Sequence, residues 1–337
     1  MSEINRVWRL RQRPVGDIDD QVLSFEQEAI PVPQDGQFLF RMNYLSLDPT
    51  NRIWMSDMDQ YMPPVELGAP MRGIVCGTVV ESRHKRYKVG DRVSGLGVWA
   101  DYQIGPAGPV GLLPDVPGLG MDVAFGTLIG VGPTAYFGLL DLGQPQPGET
   151  VVVSAAAGAV GSIVGQIAKI KGCRAVGIAG SAEKCRWLTE ELGFDAAIDY
   201  KHEDVAAALA RTCPQGIDVY FDNVGGAVLD ACLKHMNLGG RIPTCGLISS
   251  YNAQGPVPGP FNYSMILMQR LRVQGFIVTD FAPRFGEAIA ALAQWLASGE
   301  VKVRMDIHEG LENALATLKT LYTGGNTGKL LLRVAAP

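Results

Sequence analysis

Charge is what this 337-residue sequence has little of: Asp, Glu, Lys and Arg make up 19% of it, with a net balance of -5. A weakly charged, net acidic chain lacks the cationic surface that grips phosphate backbones, which argues against a nucleic-acid partner. The one basic cluster, Arg83-His84-Lys85-Arg86 with Lys88, lies between strand-like Cys76–Val80 and the turn Gly90-Asp91. It reads as a solvated hairpin tip. Histidine is scarce as well, at 4 residues, and the 6 cysteines (76, 173, 185, 213, 232, 245) are scattered with no CxxC pair. That leaves no thiolate–imidazole set with zinc-site spacing, and Cys232 with His235 has no further ligand nearby, so no metal is expected. The first residues carry no secretory pattern, so unpaired thiols point to the cytoplasm. No uninterrupted apolar run is long enough to cross a bilayer, and no membrane partner is expected. Neither GxSxG nor HExxH occurs, which removes two hydrolytic chemistries.

What is present is apolar and glycine-rich. Hydrophobic residues reach 47% of a chain longer than one core usually serves, so two domains are expected. The first third is β-rich, with Phe38–Tyr44 and Gly73–Val80 as strands. From Thr150, short apolar strands alternate with helical patterns: Val151–Val153, Ala175–Ile178, Ala197–Asp199, Val219–Phe221, Arg241–Pro243 and Val273–Val278. That alternation is the signature of an α/β fold with a doubly wound parallel sheet. Pro243 is awkward there, because proline cannot donate to a ladder. Val160, Ile163, Val164, Ile167 and Ile170 recur at helical spacing and make one apolar face. After Val301, a helical Leu311–Leu321 and a strand Lys329–Val334 are expected to fold back onto the first domain.

The segment Ser154-Ala155-Ala156-Ala157-Gly158-Ala159-Val160-Gly161 follows a strand and opens that amphipathic helix. In this context glycine permits a sharp turn and close approach of a pyrophosphate, while the helix start offers free N–H donors. A site for NAD usually has a carboxylate at the end of the second strand, on the ribose 2′-hydroxyl. Here the stretch is Ile178-Ala179-Gly180-Ser181-Ala182-Glu183-Lys184, and a small, open corner with a nearby ammonium suits a 2′-phosphate instead. NADPH is therefore favoured over NADH. Asp222-Asn223-Val224-Gly225-Gly226 and Cys245–Tyr251 follow the fourth and fifth strands, at the sheet edge where ligands bind in such folds. With no metal to polarise a carbonyl, hydride addition needs an acceptor that spreads charge by itself. A conjugated carbonyl does so: the β-carbon takes hydride, the oxygen takes the charge, and one tyrosine hydroxyl suffices as donor.

The residues resemble the leukotriene dehydrogenase/prostaglandin reductase branch of the medium-chain dehydrogenase/reductase superfamily, which includes plant alkenal double-bond reductases and bacterial curcumin reductases. The matching segments are Tyr44–Pro49, Met71-Arg72-Gly73, Ala155–Gly161, Phe221–Gly226, Cys245–Asn252 and Gly324–Lys329, in the right order along nearly the whole chain. Zinc-dependent cousins carry Gly-His-Glu about where Met71-Arg72-Gly73 stands. The resemblance implies a zinc-free enzyme with a GroES-like β-rich catalytic domain, residues 1–126 completed by 302–337, and a Rossmann NADP-binding domain, 127–301. It implies that Gly158, Ala159, Val160 and Gly161 lie under the pyrophosphate, with Lys184 and Tyr200 near the 2′-phosphate. Asn223, Cys245, Gly246, Ser249 and Tyr251 would run along the cofactor, Phe276, Ile277 and Val278 would flank the nicotinamide, and Asn326 would reach it from the tail.

On the same resemblance Tyr251 is the catalytic residue, donating to the substrate carbonyl or enolate. Tyr44, Tyr251 and Tyr263 would line the substrate cleft between the domains, with Gly255–Tyr263 as part of its wall. Each assignment has a plainer alternative. Tyr200 could simply end a strand, Phe276 could be core packing, Asn223 an Asx-turn residue, Tyr251 a loop anchor and Tyr44 core. Thr50-Asn51 before Arg52 departs from relatives, which often carry an aromatic residue and a methionine there, and so bears on the cleft's shape. The expected activity is NADPH-dependent reduction of the carbon–carbon double bond of an α,β-unsaturated aldehyde or ketone. The alternatives are a quinone oxidoreductase and a non-catalytic NADPH-binding protein on the same fold. Relatives imply a homodimer.

Overall fold

Thr150–Val153, all four residues buried, can only be a strand covered on both faces, and it occupies the middle of a six-stranded parallel sheet. The computed structural model of the protein describes residues 4–106 and 110–337. The strands in chain order are β1 (Ile4–Leu10), β2 (Leu23–Ala29), β3 (Phe38–Ser46), β4 (Arg72–Ser82), β5 (Arg92–Val98), β6 (Tyr102–Gly105), β7 (Val110–Leu112), β8 (Thr150–Val153), β9 (Arg174–Ala179), β10 (Ala196–Asp199), β11 (Ile217–Phe221), β12 (Met236–Thr244), β13 (Arg272–Gly275), β14 (Met305–Glu309) and β15 (Lys329–Arg333). The α-helices are α1 (Thr50–Trp54), α2 (Met121–Leu128), α3 (Val131–Phe137), α4 (Ala159–Ile170), α5 (Ala182–Arg186), α6 (Val205–Thr212), α7 (Gly226–Leu233), α8 (Ser264–Met268), α9 (Phe285–Ser298) and α10 (Ala314–Thr323).

Two units result. The first comprises Met1–Ile129, Met305–Asn326 and Leu330–Pro337; the second comprises Gly130–Arg304 and Thr327–Lys329. In the first, a seven-stranded sheet runs β14-β15-β3-β4-β5-β7, with β6 paired to β3 and a separate β1-β2 hairpin. The returning chain is part of this sheet, since β15 pairs antiparallel with β3, Arg333 facing Tyr44 and Leu331 facing Ser46. Its core gathers Phe38, Phe40, Met42, Leu45, Trp54, Met71 and Trp99 with Leu315 and Leu318 of α10. The basic cluster occupies the β4–β5 connection, as a hairpin tip.

In the second unit the order β10-β9-β8-β11-β12-β13 is that of a doubly wound nucleotide-binding sheet, whose strand order reverses at β8. Pro243 does lie in β12, between β11 and β13. It is tolerated near the strand's end, where its carbonyl still accepts from the Asp222 amide at 2.9 Å. The sixth strand is shorter than expected: β13 stops at Gly275, and a 3-10 turn starts at Val278. The helical tract Met121–Gly143, by length and composition alone, is apolar enough to cross a membrane, which the sequence reading did not anticipate. Asp122 and Asp141 stand near its two ends, glycine, threonine and proline interrupt the stretch between them, and 61% of its most apolar window is buried inside the protein.

Candidate active site

The glycine turn between β8 and α4 is built by close backbone contacts. Ala155 adopts a left-handed conformation, φ 47°, unusual for a residue with a Cβ. The Ala156 amide donates to Ile178 O at 3.0 Å, and the Gly158 amide to Ala155 O at 2.9 Å, which closes the loop. A methyl at Gly161 would collide with the Ala155 carbonyl oxygen and stand 2.8 Å from Ala156 Cα, so glycine there is a packing necessity. Gly158 differs. A Cβ at 158 would meet only Ala155 O, at 3.1 Å, and the space beyond it is open. Gly158 is also the N-cap of the 12-residue α4 and has no side chain to take the first-turn amides. Those donors, the helix dipole and the open space above the cap fit a pyrophosphate. The C-terminal chain runs alongside. Gly328, φ 75°, donates to Ala157 O at 2.8 Å and bridges Gly158; a Cβ on it would strike the Arg304 carbonyl. Asn326 stands two residues earlier in the chain.

At the neighbouring strand end, Gly180 and Ser181 follow β9, and the Ser181 hydroxyl caps α5 by accepting from the Lys184 amide at 3.2 Å. Tyr200 follows β10, its amide bonded to Ala179 O at 3.0 Å and its residue 46% exposed. Lys184, Tyr200 and this small-residue corner thus come together beside β9, and the corner itself carries no acidic residue at 179–182.

Beyond β8 the site is organised by a residue that sequence reasoning passed over. Asp222, fully buried, gathers four donors on Oδ1: Tyr220 Oη and Gly225 N at 2.8 Å, Val224 N at 3.0 Å and Ser154 Oγ at 3.3 Å. Its Oδ2 is buried without a partner. Burial pushes this carboxyl above the usual range, and the donors only partly offset it. Asp222 O accepts from the amides of Cys245 at 2.8 Å and Gly246 at 3.2 Å, so both loops at the sheet edge hang on one residue. The signal was present in Asp222-Asn223-Val224-Gly225-Gly226, but an aspartate before Asn and two glycines looks like an ordinary exposed turn. Asn223 is engaged locally: its amide donates to Ser154 Oγ at 2.9 Å and its Nδ2 to Ser154 O at 2.7 Å.

The segment 245–251 packs on that turn. Ser249 Oγ donates to Val224 O at 2.6 Å, and a Cβ at Gly225 would come within 2.8 Å of Leu247 Cδ2. Gly225 itself has φ 70°, so its lack of a side chain serves both the turn and the packing. Cys245 is half-buried, and burial pushes its thiol up to about 12, so it is a neutral wall residue rather than a nucleophile. The Tyr251 ring folds back over Gly246, and its hydroxyl oxygen accepts from the Leu247 amide at 3.1 Å. A phenol that accepts at oxygen becomes a stronger donor through its O–H.

Other assigned residues sit elsewhere. The Phe276 ring packs edge-on to Phe221 and Phe281, each at 6.3 Å between centroids, and lies 2.5 Å from where a Gly138 Cβ would stand. Its ring is therefore part of an aromatic cluster, and Ile277 and Val278, partly exposed, follow it. Tyr44 is 3% exposed and held to Arg333, the residue facing it on β15. Burial, together with nearby Asp122, raises its phenol above the usual value. Tyr263, by contrast, is 67% exposed at the start of α8. Among the described residues no three His, Cys, Asp or Glu side chains come together as a metal-binding group. Cys232, on α7, is fully buried.

Comparison with known proteins places this geometry. Residues 6–111 match the family described as the N-terminal domain of oxidoreductase, and residues 159–295 match the one described as zinc-binding dehydrogenase. The chain is 46% identical over 336 residues to an NADPH-dependent curcumin reductase of Escherichia coli, covering 98% of this chain and 97% of the relative. It is 40% identical over 296 residues to an NADP-dependent 2-alkenal reductase of Nicotiana tabacum, covering 87% and 85%. CurA of Vibrio vulnificus, solved in complex with NADPH, superposes with a TM-score of 0.93 at 44% identity, over 98% of this chain and 100% of that one.

Proposed function

Because the chain belongs to the curcumin reductase/prostaglandin reductase/alkenal reductase branch of the medium-chain dehydrogenase/reductase superfamily, we propose that Tyr251 is the proton-donating catalytic residue of an enone reductase. The activity is NADPH-dependent reduction of the carbon–carbon double bond of α,β-unsaturated carbonyl compounds. When bound, NADPH supplies the hydride.

The chain's own residues do the rest. Gly158, Ala159, Val160 and Gly161 hold the pyrophosphate on the α4 amides, and Lys184 with Tyr200 receives the 2′-phosphate. Asp222 fixes the turn that carries Asn223 and, through its carbonyl, the backbone of Cys245 and Gly246; Ser249 pins that loop to Val224. Phe276, Ile277, Val278 and Asn326 complete the cofactor's surroundings, Phe276 through its backbone since its ring is committed to the aromatic cluster. The Tyr251 hydroxyl donates to the substrate carbonyl oxygen, where negative charge grows as the β-carbon is reduced, and so stabilises the enolate. Removing one donor aimed at developing charge costs roughly 2.7–4 kcal/mol in an oxyanion hole. Tyr251, or water beside it, then supplies the proton that reaches the α-carbon.

The observation that carries this reading is the Leu247 amide on the Tyr251 oxygen, a contact that polarises the phenol toward donating through its O–H. Tyr263 contributes to the substrate wall in this reading. Turnover of a 2-alkenal against a quinone, followed by NADPH loss and product identification, tests the substrate class. A saturated aldehyde as product supports the reading, whereas hydroquinone formation alone would replace it with quinone reduction.

The assembly is a homodimer in this reading. No residue from 244 to 287 is buried, yet Val257, Phe261, Tyr263, Leu267, Met268 and Val273 are large apolar side chains in that stretch. There β13 forms one edge of its sheet with its far side unpaired. A bare strand edge beside exposed apolar side chains is a template for a second copy. Six unpaired thiols, four of them buried, suit a reducing compartment such as the cytoplasm.

A further inference from the structure

β9 and β10 run parallel with Ala179 opposite Asp199, so the residues that follow them, 180–181 and 200–202, emerge side by side at the carboxyl edge. Tyr200 is tied to that edge by its amide on Ala179 O, and the Lys201 amide donates to Asp199 Oδ1 at 3.2 Å. The side chains of both residues then lean across Gly180. A methyl on Gly180 would stand 2.9 Å from Tyr200 Cε1 and 3.3 Å from Lys201 Cε. Glycine at 180 therefore does more than open the corner to a ligand: it lets a lysine stem cross the end of β9 and bring its ammonium to the corner that Ser181 and Lys184 border. Nearby, Asp199 holds His202 Nδ1 at 2.9 Å and the Lys201 amide, and Glu203 pairs with Arg211 at 2.5 Å.

We propose that Lys201 is a specificity-determining residue that selects the 2′-phosphorylated cofactor, its ammonium sharing the 2′-phosphate with Lys184 from the opposite side of Gly180. The proposal rests on the reading that the adenosine ribose lies at the end of β9. Two cations on one phosphate dianion favour the phosphorylated ligand strongly over one with a bare hydroxyl, because charge-assisted bonds to the dianion are stronger than bonds to a neutral hydroxyl. Neither composition nor a glycine motif points to Lys201; only the approach of its stem to Gly180 does.

Calorimetric titration of the full-length, cofactor-free protein with adenosine 2′,5′-bisphosphate and with AMP tests this without any turnover. Lys201 is exposed, so Lys201→Met leaves folding intact, which a melting curve confirms. The expected result is a Kd for the bisphosphate raised roughly tenfold or more in Lys201→Met, an unchanged Kd for AMP, and recovery of most of the loss in Lys201→Arg. The salt dependence of bisphosphate binding also becomes shallower in Lys201→Met. Equal weakening of both ligands, or no change in either, overturns the role of Lys201. A wild-type protein that binds AMP as tightly as the bisphosphate instead overturns the placement of the 2′-phosphate itself, and the proposal with it.

Discussion

Ala155 at φ 47° and Gly161 against the Ala155 carbonyl define a turn with no slack. Backbone strain of this kind costs on the order of 1–3 kcal/mol and persists where the surroundings over-determine it. Substituting Gly161→Ala forces the turn open, because the atoms it meets are backbone and cannot rotate away. The expected outcome is a loss of NADPH binding in fluorescence titration together with a stability decrease of about 2 kcal/mol in urea unfolding. Unchanged affinity would show that the turn does not cradle the pyrophosphate. At this scale the sequence was readable where one residue's chemistry has one use, as with the glycines. It was opaque where a residue's role depends on what is packed against it. Nothing in the letters announces that Asp222 will collect four donors in the dark, or that the ring of Phe276 will turn into an aromatic cluster while its neighbours stay at the surface.

Among the elements, the parallel strands were legible because full burial demands continuous apolar runs, as in Val151-Val152-Val153. Their limits were less so. β13 stops at Gly275 because Asp280 accepts from the Ile277 amide and turns the chain, a contact invisible to hydrophobic patterning. Pro243 survives in β12 because it gives a carbonyl where it cannot give an N–H. The same strand supplies an electrostatic tie. Arg241 of β12 pairs with Glu149, just ahead of β8, and donates to Gly143 O at 2.8 Å. Burial raises the Glu149 carboxyl, but the Arg241 bonds outweigh it and leave it below its ordinary value of 4.5. A depressed folded-state value means that the pair stabilises the fold above the unfolded-state value and that this is lost as pH falls through the folded one. Melting temperature should therefore drop as the medium is acidified below about 4.5. Arg241→Met should melt lower at neutral pH and show a flatter acid limb. An acid limb identical in slope to wild type would remove Glu149 from that account.

For the whole molecule, the order of segments along the chain was enough to expect a β-rich catalytic unit completed by the tail and a nucleotide-binding unit within it. The surface from 244 to 287 could not be anticipated, since strand and helix patterns there look like any others until their burial is known. Light scattering coupled to size exclusion should give twice the chain mass. Val273→Lys with Phe261→Asp, which place charge on the exposed edge and beside it, should shift the protein toward monomer without lowering the far-UV helix signal. A monomeric wild type would discard the dimer. Chemistry at this scale reduces to whether a single phenol stabilises the enolate, and turnover of Tyr251→Phe against a 2-alkenal, measured beside NADPH affinity, answers it. The account predicts a kcat lower by about 10²–10³-fold with NADPH Kd essentially unchanged. A kcat within about twofold of wild type, well short of that loss, would contradict it.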